Sequence, residues 1–183
     1  MPTLLIMGGC SYPGLDGGDK LYHFETAILQ AQIQLEASFE MIARSTTDPS
    51  ILLMDRALLD IAAYLPDAQW KDIIGRNGWT EDQFAARYDL ILHLVTAAEG
   101  AEQFYTTANN AARTETAAEA IALDHKVRTC WSTHANHVLV PNTGGFDEKL
   151  AAATAEVEAL VGAVAGAGAS ADTVAANTPS SRP

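Results

Sequence analysis

The 183 residues hold 11 Lys and Arg against 23 Asp and Glu, for a formal net charge of -12, and 48% of them are apolar. This length and composition suit one domain with its own core, and the acidity speaks against a general electrostatic grip on nucleic acid or an anionic membrane. No apolar run approaches the ~20 residues of a membrane-spanning helix, and Cys10 and Cys130 stand far apart without a CxxC partner, so neither a disulfide framework nor a zinc site is read from them and a cytoplasmic setting is the default.

Along the chain, the first segment, "PTLLIMGG", is a short apolar run closed by glycines, open to reading as a buried strand or a helical turn. It lacks the basic region that opens a signal peptide. "CSYPGLDGGDK" is turn chemistry. From Leu21 to Arg44, apolar residues recur at spacings of three and four: Leu21, Phe24, Ile28, Ala31, Leu35, Phe39 and Ile42, with Leu29 and Ile33 widening the stripe. That periodicity predicts a long helix. "STTDPS" ends it, because a helix rarely runs through the residue before Pro49. Ile51 to Met54 then reads as an unalternating apolar strand, suited to a parallel sheet covered on both faces.

Helical turns are predicted around Leu58 to Tyr64 and Asp67 to Ile74. Thr80 caps the next, with Glu81 and Asp82 in its first turn. Leu90 to Val95 is a second buried-strand candidate. A helix follows from about Thr116 to Thr133, with Ala120, Leu123, Val127 and Trp131 on one stripe. "HVLVPN" is a third strand, stopped by Pro141, and Phe146 to Val164 is a last helix. From Ala165 to Pro183 the chain turns to Ala, Gly, Ser, Thr and Pro, the composition of a disordered tail. Strands alternating with helices predict an α/β domain over residues 1–164, with a parallel sheet flanked by helices.

Ligands in such sheets bind beyond the carboxyl ends of the strands, and Asp55 and Arg56 stand at such an end. The acid can hold magnesium through water or take a proton from a substrate hydroxyl. The arginine can clamp phosphate or carboxylate. The plainer alternative is a salt-bridged pair at a strand-helix junction. A second polar group, Asn109, Asn110, Arg113 and Glu115, precedes the Thr116 helix, and Asp124, Trp131, His134 and Asn142 follow. An arginine on a mobile loop can close over a polyphosphate; the alternative is a solvated helix start capped by Thr114 or Thr116. His134 and His137 have no third ligand in the pattern and read as surface histidines.

"ILLMDRALLD", "RYDLILHLVTAAEG", "ARTETAAEAIALDHKVRTCWSTH" and "FDEKL", in that order, resemble the AAA-type P-loop ATP-binding domain of the nicotinamide-riboside-kinase-like group. Its relatives include eukaryotic proteins proposed to bind guanine nucleotide and phosphoinositide. The resemblance implies that Asp55 is a catalytic base or magnesium-site acid, Arg56 a substrate-side arginine and Arg113 a lid residue facing the phosphates of ATP or GTP, with Mg2+ as cofactor. It implies structural roles for Glu115, Asp124, Trp131 and His134, and for Tyr88 and Asp89, and a helical rather than extended "PTLLIMGG".

One feature of that family is missing from these residues. Relatives open with a strand and a GxxxxGK[ST] loop, and no such sequence occurs here; Gly8-Gly9 and Gly17-Gly18 are not followed by Lys-Ser or Lys-Thr. The chain thus looks like a member lacking its first strand and phosphate loop, with impaired phosphoryl transfer or none. Exposed strand edges and uncovered helix faces should follow. The alternatives are a non-catalytic module that binds nucleotide, phosphoinositide or a protein, and a fragment of a longer ATPase.

Overall fold

A computed structural model describes residues 18–47, 49–105 and 116–176, with side chains up to 166. Helix α1 spans Gly18–Arg44. A 3-10 helix, Leu58–Tyr64, leads into α2, Asp67–Asn77, and α3, Glu81–Ala85. Strand β1, Ile91–Leu94, is followed by α4, Ala117–Cys130, then β2, His137–Val140, and α5, Phe146–Ala176. The strands pair in parallel, Ile91 opposite His137 and Leu94 opposite Val140, so β1, α4 and β2 form a strand-helix-strand unit. No helix among the described residues is long and apolar enough to cross a membrane.

Local chemistry sets the helix ends. Thr80 Oγ1 accepts from the Gln83 amide at 3.1 Å, and Gln83 answers by accepting from the Thr80 amide at 3.0 Å. Thr116 and Glu119 repeat this reciprocal cap on α4. Helix α2 stops at Gly78, whose φ of 67° is the left-handed geometry that glycine adopts without strain. The last helix continues to Ala176, well beyond Val164, the end predicted from the loss of large apolar side chains. Its alanines need no packing partner to favour the helical backbone.

Two expectations fail on the described residues. Ile51–Met54 is not a regular strand; the only bridge in this stretch is at Asp55, and the Leu53 side chain is exposed. An apolar run becomes a strand only when neighbouring backbones complete its ladder. The buried face of α1 is also rotated from the predicted stripe. Its buried positions are Glu25, Leu29, Gln32 and Glu36, while Leu35 and Ile42 are exposed. Gln32 and Glu36 hold that phase because they bond across to other elements.

Around Leu29, the core gathers Leu58, Ile61, Trp70, Ile73, Phe84, Ile91, Val127 and Trp131. The 3-10 helix sits at its centre, against α1, α3 and α4.

Candidate functional site

The turn out of residues 51–55 carries the strongest local signal. Arg56 has a φ of 77°, the only positive value at a non-glycine position among the described residues. A side chain in that region costs about 1–3 kcal/mol and persists only where surrounding bonds hold it. Here Gln32 Nε2 of α1 donates to the Arg56 carbonyl at 3.2 Å. The Arg56 guanidinium lies 3.7 Å from Asp60 Oδ2 and remains 42% exposed. Asp60 is buried and also accepts from Trp131 Nε1 at 2.6 Å. Burial pushes its carboxyl pKa above the usual range, while the indole and Arg56 pull the other way. Asp55, beside this assembly, is exposed. Arg56 thus has an acidic partner, Asp60 rather than Asp55, and Asp55 is exposed.

Glu36 braces the same turn from below. It accepts from Arg87 Nε at 2.9 Å, Tyr88 Oη at 2.8 Å and Gln32 Nε2 at 3.1 Å. Tyr88 Oη in turn accepts from the Leu58 amide at 3.0 Å. One buried carboxylate thereby connects α1, the approach to β1 and the start of the 3-10 helix. Gln32, Glu36, Asp60 and Arg87 do not emerge from motif reading. A signal for the first two was present: polar residues at positions 25, 32 and 36 share one helical face with Leu29.

At the carboxyl ends of the strands a second polar group forms. Asp124 accepts from His93 Nε2 and from the Thr96 amide, both at 2.9 Å. Asn142 Nδ2 donates to the Val95, Thr96 and Glu99 carbonyls, and Lys149 Nζ donates to Val95 O at 2.6 Å and Asn142 Oδ1 at 2.7 Å. His134 Nε2 donates to the Tyr88 carbonyl at 2.8 Å. Asp124, Trp131 and His134 therefore anchor α4 and its end to the rest of the fold. Arg113, with Asn109, Asn110 and Glu115, lies outside the described residues.

A cleft of about 1790 Å³ joins these parts. Residues 49–57 and 86–94 line it, with Asp55 and Arg56 on its wall and apolar residues of α4 and α5 on its flanks. No group of three or more His, Cys, Asp or Glu that could hold a metal occurs among the described residues. Asp55 offers a single open carboxylate, which fits a magnesium ion carried mainly by water and nucleotide phosphates.

Residues 13–149 match a family model described as AAA domain. No curated protein and no solved structure matches the chain. The matched span contains Asp55, Arg56 and Arg113 and runs from ahead of α1 into the first turn of α5. The parallel pair of strands among helices fits the P-loop type of α/β fold, whose business is nucleotide binding, and the chain belongs to the AAA domain family.

Proposed function

We propose that this domain binds ATP or GTP with Mg2+ in the manner of a P-loop kinase of the nicotinamide-riboside-kinase-like group, and that Asp55, Arg56 and Arg113 are its working residues. Asp55 serves as the base toward a phosphoryl acceptor or as the acid of the magnesium site. Arg56 holds the substrate, and Arg113 faces the nucleotide phosphates. Magnesium, when bound, would screen the phosphate charge, with Asp55 as its protein-side carboxylate. The observation that carries this reading is the left-handed backbone at Arg56. A strained arginine, held by Gln32 and Asp60 beside an open carboxylate on a cleft wall, is costly to maintain for packing alone.

A second reading has its own support. The sequence contains no GxxxxGK[ST] loop, the main source of phosphate positioning in such chemistry. In that reading the domain is a regulatory module that binds nucleotide, phosphoinositide or a protein partner without turnover.

Thermal unfolding with Mg-ATP and with Mg-GTP tests both. A ligand at 100 times its Kd stabilises by roughly 2.7 kcal/mol, or about 5–10 °C in a domain of this size. The shift should be present in the native chain and lost in Arg113→Ala. Release of labelled γ-phosphate then separates kinase or ATPase from binder. Melting curves indifferent to both nucleotides would remove the nucleotide readings together.

A further inference from the structure

Arg56 must leave one partner to meet another. Its guanidinium lies 3.7 Å from Asp60 Oδ2, yet the two side chains sit in unlike surroundings, 42% exposed for Arg56 and 8% for Asp60. Both residues line the cleft. The separation exceeds the roughly 2.7–2.9 Å of a charge-assisted hydrogen bond, so the arginine gives up little contact by turning outward. Asp60 cannot follow it. Its Oδ1 accepts from Trp131 Nε1 at 2.6 Å and its Oδ2 from the Ala57 amide at 3.4 Å. These bonds pin the carboxyl from α4 and from the start of its own helix.

What Asp60 loses when Arg56 turns away is a facing charge. A buried carboxylate without its cation is far costlier than a buried carboxylic acid. Burial already pushes the Asp60 pKa above its ordinary 3.8, against the pull of the Trp131 indole, Arg56, the Ala57 amide and His93. The other charged groups around it are committed. His93 of β1 is bonded to Asp124 at 2.9 Å. The 3-10 helix packs on α1, α3 and α4. There Glu36 is bonded to Arg87 and Tyr88, and Glu81 to Trp70. Cys130 of α4 is a thiol whose pKa burial and the Asp60 charge push up to about 11, so it brings no positive charge.

We propose that Asp60 couples the binding of an oxyanion at Arg56 to the uptake of one proton. The guanidinium leaves Asp60 Oδ2 for the anion, and a proton from solvent takes its place on that oxygen. The inference rests on the reading of Arg56 as the substrate-side arginine and adds the acid that answers it. Asp60 acts through Arg56 and is a positioning residue. Because binding and protonation favour each other, the anion binds more weakly as pH rises.

Sulfate is the probe, since it remains a dianion from pH 4 to pH 8. On the 183-residue chain, NMR follows the carboxyl 13C shift of Asp60 and the amides of Arg56 and Ala57. Saturating sulfate should move the Asp60 titration to higher pH. Arg56→Ala should do so without sulfate and show no further response to it. The sulfate Kd should rise about tenfold per pH unit between the two Asp60 midpoints. In Asp60→Asn, which keeps an acceptor for the indole, sulfate should bind more tightly at pH 7 and its Kd should no longer follow pH. Sodium chloride at equal ionic strength controls for screening. Amide shifts at Arg56 and Ala57 with a stationary Asp60 midpoint would overturn the coupling and leave Arg56 an anion-binding residue. A Kd that climbs as steeply in Asp60→Asn would put the proton on another group and overturn the coupling too. Sulfate that moves these amides no more than chloride does would remove the anion role of Arg56 and the coupling with it.

Discussion

Trp131 Nε1 donates to Asp60 Oδ1 at 2.6 Å across 71 residues of sequence. The bond ties the end of α4 to the carboxylate that faces Arg56, so the helix following the Arg113 segment and the arginine of the cleft wall share one buried group. Trp131→Phe keeps an aromatic ring in the core but leaves Asp60 short of a donor. An unsatisfied buried acceptor costs about 1–3 kcal/mol, and urea unfolding should register a loss of that size. Asp60→Asn retains an acceptor for the indole and should cost less. A Trp131→Phe chain as stable as the parent would mean that the bond contributes nothing.

Glu36 is the second junction. Removing its carboxylate takes one acceptor from each of Tyr88 Oη, Arg87 Nε and Gln32 Nε2 at once. A hydrogen bond to a charged group contributes about 1.5–3 kcal/mol, so the loss of three of them in Glu36→Ala should lower the urea midpoint sharply with an unchanged slope. Arg87→Ala removes one partner of three and should cost less. If the two variants lost the same stability, Glu36 would not be the hub.

These junctions mark the boundary of what sequence makes visible. The caps at Thr80 and Thr116 are legible because each depends on residues three apart. The strands β1 and β2 are legible as short apolar runs closed by Thr96 and by Pro141. Ile51–Met54 has the same signature yet forms no regular strand, because a ladder depends on neighbours that composition cannot report. The face of α1 was misread for a related reason. Periodicity assigns apolar residues to the core, but Gln32 and Glu36 are buried by bonds to Arg56 and Arg87, residues 24 and 51 positions further on. Asp55 and Arg56 stand out in the sequence only as candidates, by their place after an apolar run, whereas the strain at Arg56 and its pairing with Asp60 belong to the fold.

Glu25 gives a pH dependence of known sign. It is 1% exposed, and neither carboxyl oxygen has a hydrogen-bond partner among the described residues. Burial raises its pKa from 4.5 to about 7. Between those values the folded chain holds a proton that the unfolded chain has released, so stability falls as pH rises through this window. The contribution is full below about pH 4.5 and gone above about pH 7. Glu25→Gln should flatten the curve and stabilise the chain at pH 8 by roughly 3 kcal/mol, at 1.36 kcal/mol per pH unit between 4.5 and about 7. Stability curves from pH 4 to pH 8 that run parallel in the two proteins would discard this account.

Arg56 separates strain from function. Glycine adopts a φ of 77° without penalty, whereas alanine carries the same Cβ clash as arginine. Both substitutions remove the guanidinium, and both leave Asp60 without its cationic neighbour. Arg56→Gly should therefore be more stable than Arg56→Ala by about 1 kcal/mol, even though glycine costs more entropy in most backbones. If the guanidinium serves a phosphate or carboxylate of the substrate, both variants should lose γ-phosphate transfer equally while keeping any Mg-ATP or Mg-GTP shift. A variant that gains stability while losing transfer has the signature of a residue kept for its chemistry. Alanine at least as stable as glycine would mean that this turn holds no strain, and the argument from backbone geometry to function would fail with it.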